Sequence, residues 1–188
     1  MESLEKKLGY CFRDRTLLAE ALNHSSYANE HRGGVASNER LEFLGDSVLG
    51  FVTAEFLFKA HGSLPEGDLT RMRAALVCEQ SLYEVAKGLE LGAYLKLGKG
   101  EEAGGGRARQ SILADATEAV LAAVYLDGGM EEVRGHHPPG AAQPGLRRGG
   151  APGLQDHPPG AGPAPQRPGA HLPYDRGERP GPQQDLPL

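Results

Sequence analysis

The stretch "NERLEFLGDSVLGFVTAEFLFKA", residues 38–60, constrains the fold more than any other part of the chain. Wound as a helix to about His61, with Ser37 or Asn38 as its cap, it is apolar almost all round, and such a helix belongs in the middle of a fold. Yet its first turns carry Glu39, Glu42 and Asp46. These acids stand at i, i+3 and i+7, so on a helix they fall within a sector of roughly 60 degrees and share one face. A second segment, "ILADATEAVLAAVYLDGG", repeats the pattern. It is strongly apolar, ends in a Gly pair suited to a helix stop, and carries Asp115 and Glu118 at i, i+3 among Ala114, Ala116, Ala119 and Val120.

Two readings of these acids are open. Acids at i, i+3 fit a solvated helix face, since Asp and Glu are almost never fully buried unpaired. Their apolar neighbours fit a buried cluster instead, in which carboxylates repel one another and take up protons unless a cation neutralises them. Oxygen ligands without His or Cys select a hard ion, Mg2+ with Mn2+ as a substitute. Such an ion lowers the pKa of bound water and stabilises charge on the attacking and leaving oxygens of a phosphoryl transfer. The second reading therefore points to a metal-dependent phosphodiesterase.

The rest of the body is helical as well. "MESLEKKLGYCFRDRTLLAEALNHSSYANE" predicts a short helix ending at Gly9 and a second from about Asp14, its N-cap, with Leu17, Leu18, Ala21 and Leu22 at helical spacing. "HRGGVAS" is a loop. "GSLPEGDLTRMRAALVCEQSLYEVAKGLEL" opens with a turn and then gives one or two amphipathic helices ending near Gly88, and "GAYLKLGKGEEAGGGRARQS" reads as a glycine-rich loop. No period-2 run of useful length occurs, so the expected fold class is all-α.

Composition separates a body, residues 1–133, from a tail, residues 134–188. Thirteen of the 14 prolines lie after residue 134, and only Pro65 precedes it. The body carries 14 Lys or Arg against 21 Asp or Glu, so binding a polyanion requires bound cations, local basic patches or a further basic module rather than global attraction. Cys11 and Cys78 are too few for a disulfide framework or a zinc site and read as small core residues of a reduced, cytoplasmic protein. No run approaches the ~18 apolar residues of a membrane span, and the N-terminus has no apolar run suited to a signal peptide.

Taken in order, "LGYCFRDRTLLAEALNHSSYANE", "NERLEFLGDSVL", "LPEGDLTRMRAALV" and "LGKGEEAGGGRARQSILADATEAVLAAVYLDGG" resemble the ribonuclease III endonuclease domain, over essentially residues 4–133. The resemblance implies an all-helical homodimer that cuts double-stranded RNA with Mg2+, leaving 5'-phosphate and 3'-hydroxyl ends, in processing of ribosomal and other RNA precursors. By motif position it assigns Glu42, Asp46, Asp115 and Glu118 to the metal, with Asp46 and Glu118 as the catalytic pair. Glu39 and Glu66 fall where the family has further glutamates lining the RNA valley, although Glu66 also suits a helix N-terminus. The signature helix forms much of the family's dimer interface, which makes Phe43 an interface candidate. Arg71, Arg73, Arg107 and Arg109 are candidate phosphate contacts or solvated charges, and His24 reads as a packed or capping residue rather than a base. A dimer that binds double-stranded RNA without cutting it, or cuts it weakly, is the alternative; a helical protein that stores or senses a cation is a third.

Family members usually add one more helix and then a double-stranded-RNA-binding domain. The tail resembles neither. From Gly135 onward it lacks Phe, Ile and Val, and Tyr174 is its one aromatic, so it is expected to be disordered or extended. Codons compatible with "QDHPPGAG" and "RPGPQQDLP", read one nucleotide later, admit peptides resembling that RNA-binding domain. The tail is therefore either a natural Pro/Gly segment or the product of a frame shift near Arg134.

Overall fold

The computed structural model describes residues 1–31 and 33–135. Among them are α1 (Glu2–Leu8), α2 (Arg15–Ala21), α3 (Ser25–Glu30), α4 (Glu39–Ala60), α5 (Glu66–Leu76), α6 (Glu79–Leu89), α7 (Lys99–Ala103), α8 (Gln110–Gly128) and α9 (Met130–Gly135). The all-α expectation holds. Within these residues the one β feature is an isolated parallel bridge between Asn23 and Lys96.

Local chemistry sets the boundaries. Gly9 ends α1 in the left-handed region at φ 68°, and the Asp14 side chain caps α2 by accepting from the Thr16 N–H. Helix α4 stops before His61 as its sequence predicts. Asn38 holds its cap position without a side-chain bond, and Ser37 instead donates its hydroxyl to Glu39 at 2.7 Å. The span after Pro65 breaks into two helices at Val77 and Cys78, and α6 runs past Gly88 to Leu89, where Glu90 takes the left-handed turn at φ 55°. The span read as a glycine-rich loop is more ordered than its composition predicts. It contains α7 and two 3-10 turns, Leu91–Ala93 and Gly106–Ala108.

Helix α8 is the centre of the described body. Ile112, Leu113, Ala114, Ala116, Ala119, Val120, Ala122, Ala123 and Val124 are all buried, and the helix packs most extensively against α4 and α6, then against α2 and α9. Helix α4, expected to be central, buries one face only, through Leu41, Gly45, Val48, Leu49, Val52, Thr53 and Leu57. Phe43, Phe51 and Phe58 on it are 79%, 53% and 73% exposed. Its apolar periphery is thus left uncovered by the described residues, an aromatic face of the kind that marks an interaction surface.

The N-terminal segment is tied down by two carboxylates. Buried Glu5 accepts from the Phe12 N–H at 3.0 Å and from the Arg15 guanidinium at 2.8 and 3.2 Å. Asp127, near the end of α8, accepts from the Tyr10 hydroxyl and from the Arg13 and Asp14 N–H groups at 2.6 to 2.9 Å. Both cysteines are exposed, which corrects their assignment to the core. Cys11 lies in the turn before α2, and Cys78 stands at the cap of α6, beside Ser81, where its Sγ makes polar contacts.

The helical body continues two residues beyond the expected boundary at 133. Val133 is buried, and Arg134 reaches back to Glu55 of α4 at 2.8 and 3.2 Å. The expectations of a lost final helix and of a disordered or frame-shifted tail fall on residues outside those described. No helix among the described residues is long and apolar enough to cross a membrane.

Candidate metal centre

The site forms where α4 crosses α8. A Cβ built on Gly45 would sit 2.0 Å from the carbonyl oxygen of Glu118 and 2.5 Å from its carbonyl carbon, so the two backbones touch at this point. Only glycine permits the crossing. It sets Glu42 and Asp46 of α4 against Asp115 and Glu118 of α8, and carboxylate oxygens of Glu42, Asp115 and Glu118 come within 4.8 Å of one another.

All three are half-buried, whereas Asp46 and Glu39 are exposed. The one face expected from helical spacing is therefore divided, with Glu42 turned inward and the other two at the rim. The rim acids still act on the cluster. Burial first, and then the charges of Asp46, Glu42 and Asp115, push the Glu118 carboxyl up to about 7. Burial, Asp115 and Glu39 raise Glu42. Asp115 is raised by burial and by Glu79, while His24 pulls it down.

Three carboxyls that resist ionisation together, with no Lys or Arg among the described residues bonded to them, fit a hard divalent cation, which would replace mutual repulsion with shared attraction. Glu42, Asp115 and Glu118 would hold it, with Asp46 beside them.

A pH dependence follows. Below about pH 4.5, the ordinary value for Glu118, the group is protonated in both folded and unfolded chains. Between about 4.5 and about 7 the unfolded chain loses that proton and the folded chain keeps it, so folding stability falls as pH rises through this window. Glu42 and Asp115 act in the same direction. Asp14, Glu55 and Asp127 have lowered values, so their stabilisation is lost only at pH below this window. Thermal unfolding of the metal-free chain should accordingly give a lower Tm at pH 7.5 than at pH 5, and Mg2+ should reverse the difference.

The remaining candidates are not among the converging carboxylates. Glu66 opens α5, accepts from Thr70 at 2.6 Å and lines an open groove of about 500 Å³ with Phe51, Phe58 and Arg73. Arg71 pairs with Asp68, and Arg109 with Glu101 at 2.6 Å. Arg107 is engaged in the fold, donating to Glu102 at 2.6 Å and to the carbonyls of Gly92 and Leu95 at 2.9 and 2.8 Å. His24 is the cap of α3, as expected.

Sequence reasoning missed Gly45, Glu79 and the link between His24 and Asp115. Glu79 opens α6 as Glu66 opens α5, and nothing in their spacing distinguishes them. Gly45 carried a signal in principle, since a glycine inside an otherwise apolar helix costs about 1 kcal/mol relative to Ala and asks for a packing reason.

Comparison with known proteins agrees with this geometry. Residues 14–136 match the family model described as Ribonuclease-III-like. The chain is 60% identical over 131 residues to Ribonuclease 3 of Caldanaerobacter subterraneus subsp. tengcongensis, covering 70% of this chain and 58% of that one. It is 56% identical over 128 residues to Ribonuclease 3 of Streptomyces coelicolor, covering 68% and 46%. It thus spans about half the length of these relatives. Among solved structures it is similar to the nuclease domain of ribonuclease III from Campylobacter jejuni, with 43% identity, a TM-score of 0.67 and coverage of 71% of this chain and 90% of that one. That structure's description refers to a region involved in dimer formation. With an all-helical body, an acid cluster at a glycine crossing and these matches in agreement, the chain belongs to the ribonuclease-III-like family.

Proposed function

We propose that this chain is an endoribonuclease of the cytoplasm that hydrolyses phosphodiester bonds in double-stranded RNA, leaving 5'-phosphate and 3'-hydroxyl ends, in processing of ribosomal and other RNA precursors. The observation that carries the reading is the convergence of Glu42, Asp115 and Glu118 within 4.8 Å, with Glu118 raised to about 7. When bound, Mg2+ supplies a more acidic water and stabilises charge on the phosphate oxygens. Mn2+ is the natural substitute.

The chain's own residues do the rest. Glu42, Asp115 and Glu118 bind from two helices fixed by their contact at Gly45. Asp46, exposed at the rim and coupled to Glu118, stands where substrate approaches and joins Glu118 as the catalytic pair. Glu118, ionised once it holds the cation, would with Asp46 orient the attacking water, and the raised value of about 7 describes the cation-free carboxyl. Arg71 and Arg73, exposed on α5, are candidates for RNA phosphates, with Glu39 and Glu66 in auxiliary roles. The bare aromatic face of α4, with Phe43 foremost, supports a homodimer whose two sites address the two strands of one duplex, recognised by shape.

The test uses end-labelled duplex RNA with the full chain. Mg2+-dependent cleavage leaving 5'-phosphates, by a species that sediments as a dimer, is the expected result. Binding without cleavage would favour a non-cleaving RNA-binding dimer, and cation binding without either would favour a storage or sensing protein.

A further inference from the structure

We propose that Lys96, held over the ring of Tyr27 and close in sequence to Lys99, is a contact for the phosphate backbone of duplex RNA on the approach to the carboxylate site. The inference rests on the RNA-cleaving reading of that site.

An acidic body reaches a polyanion only through cations that its own carboxylates have not already claimed. Most of the cations that the sequence singles out are claimed. Arg71 pairs with Asp68, Arg107 with Glu102 at 2.6 Å, and Arg109 with Glu101 at 2.6 Å. Among the described residues three lysines lie over tyrosine rings: Lys7 over Tyr94 at 5.8 Å, Lys87 over Tyr83 at 4.9 Å and Lys96 over Tyr27 at 5.6 Å. The first two are also paired with acids, Lys7 with Glu90 and Lys87 with Glu84. Lys96 and Lys99 are exposed, and neither takes part in an ion pair among the described residues. A ring face attracts an ammonium group without consuming its N–H donors, so Lys96 is oriented while its charge stays available to an anion.

The ring beneath Lys96 is built in. Tyr27 stacks on His31 one turn along α3, with centroids 3.9 Å apart and planes at 33°, and Nδ1 of His31 lies 2.8 Å from the Tyr27 carbonyl oxygen. Helix α3 is fastened in turn to the segment that carries the lysines. The Ser26 hydroxyl accepts from the Gly98 N–H at 2.9 Å, and the Glu30 carboxylate accepts from the Lys99 N–H at 2.8 Å. A Cβ on Gly98 would lie 2.7 Å from the Ser26 carbonyl oxygen, so the segment is pressed onto α3.

Backbone hydrogen bonds tie this unit to the start of an acid-bearing helix. The Lys96 N–H donates to the Leu22 carbonyl at 2.9 Å, the His24 N–H to the Lys96 carbonyl at 3.1 Å, the Asn38 N–H to the Asn23 carbonyl at 2.8 Å, and the Glu42 N–H to the Asn38 carbonyl at 2.8 Å. The spacings across such bonds and along one helical turn keep the Lys96 and Glu42 backbones within about 20 Å of each other. A duplex presents a phosphate every few ångströms along each strand, so one seated with its scissile bond at the acids brings phosphates to this unit. Contacts of this kind fix register and orientation without reading sequence.

The test measures the affinity of the full chain for fluorescein-labelled duplex RNA by anisotropy in Mg2+, in a Glu118→Gln background that leaves the duplex uncut. Lys96→Ala should weaken binding on the order of 5-fold at low salt, equally for two duplexes of unrelated sequence. It should also make the fall of log affinity with log salt shallower by about one. Lys96→Arg should restore both. Lys87→Ala, which removes a lysine that lies over a tyrosine but is already paired, should change neither. With Glu118 intact, Lys96→Ala should unfold at the wild-type Tm and cleave at the wild-type rate once RNA is saturating. Unchanged affinity and salt slope in Lys96→Ala, an equal loss in Lys87→Ala, or a loss that comes with a fall in Tm overturns the contact and leaves the nuclease reading standing. A wild-type chain that neither binds nor cleaves duplex RNA removes that reading, and the contact with it.

Discussion

Glu118→Gln is expected to lower the rate of duplex RNA cleavage on the order of 10³-fold or more, the several kcal/mol that a metal-assisted site supplies. The same substitution should not destabilise the metal-free protein near pH 7.5. The Gln amide is nearly isosteric with the carboxyl and removes a charge that burial, Asp46, Glu42 and Asp115 all oppose. Two measurements on one variant therefore move in opposite directions. Cleavage should vanish, while Tm in EDTA holds or rises and loses part of its fall between pH 5 and pH 7.5. Cleavage at the wild-type rate would remove Glu118 from the reaction. A marked drop in Tm would mean that its carboxylate serves the fold and that the repulsion within the cluster has been misjudged.

Gly45→Ala should be the most damaging small substitution in the body. A methyl at this position meets the Glu118 carbonyl oxygen at 2.0 Å, and the obstacle is backbone rather than a side chain that can swing away. Helices α4 and α8 must part, which opens the core through Leu41, Val48 and Val52 as well as the acid site. Overpacking of this kind costs about 3 kcal/mol or more. In a domain of this size that corresponds to a fall in Tm on the order of 10 °C. Cleavage should fall with it even below the new Tm, because Glu42 and Asp46 move away from Asp115 and Glu118. Gly88→Ala is the control. It lies in α6 with nothing within 4 Å of a built Cβ, so the substitution should be neutral or stabilising by about 0.5–1 kcal/mol. If Gly45→Ala behaves like that control, the close crossing is not what assembles the site.

The repulsion within the cluster also explains why acids of this kind persist in apolar surroundings. In the metal-free chain Glu42, Asp115 and Glu118 all resist ionisation, so the site is a source of instability that a bound cation would relieve. Metal binding and folding are thereby linked, and Mg2+ should protect the body against thermal unfolding most strongly at the upper end of the pH window.

Much of this was legible in the linear chain. The two acid-bearing helices follow from long apolar runs with recognisable ends, and the caps at Gly9 and Asp14 from residue types with one favourable place in a helix. Less legible was the region from Gly92 to Ser111, where many glycines suggest a loop. There, Arg107 donating to the Gly92 and Leu95 carbonyls, and Gly106 packed against Glu101, order the segment through contacts that leave no periodic trace. Burial of the cysteines was misread because smallness favours the core on average, whereas Cys11 and Cys78 both occupy turns next to helix starts.

By itself, then, the sequence determined that this protein is helical, that acids at i, i+3 stand on each of two apolar helices, and that the pattern as a whole resembles one nuclease family. Periodicity and residue type are local properties, and one chain suffices to read them. Residue spacing left open which acids converge, and the tertiary structure brought together three of the four that the resemblance had singled out. Glu39, Glu42 and Asp46 are equivalent by spacing, but the crossing at Gly45 turns Glu42 inward and leaves the other two at the rim. Glu66 and Glu79 both open helices, but only Glu79 acts on Asp115 within this chain. His24 is a cap in either view. Electrostatic coupling depends on separation in space, and that separation is set by how α4 and the α2–α3 junction pack on α8.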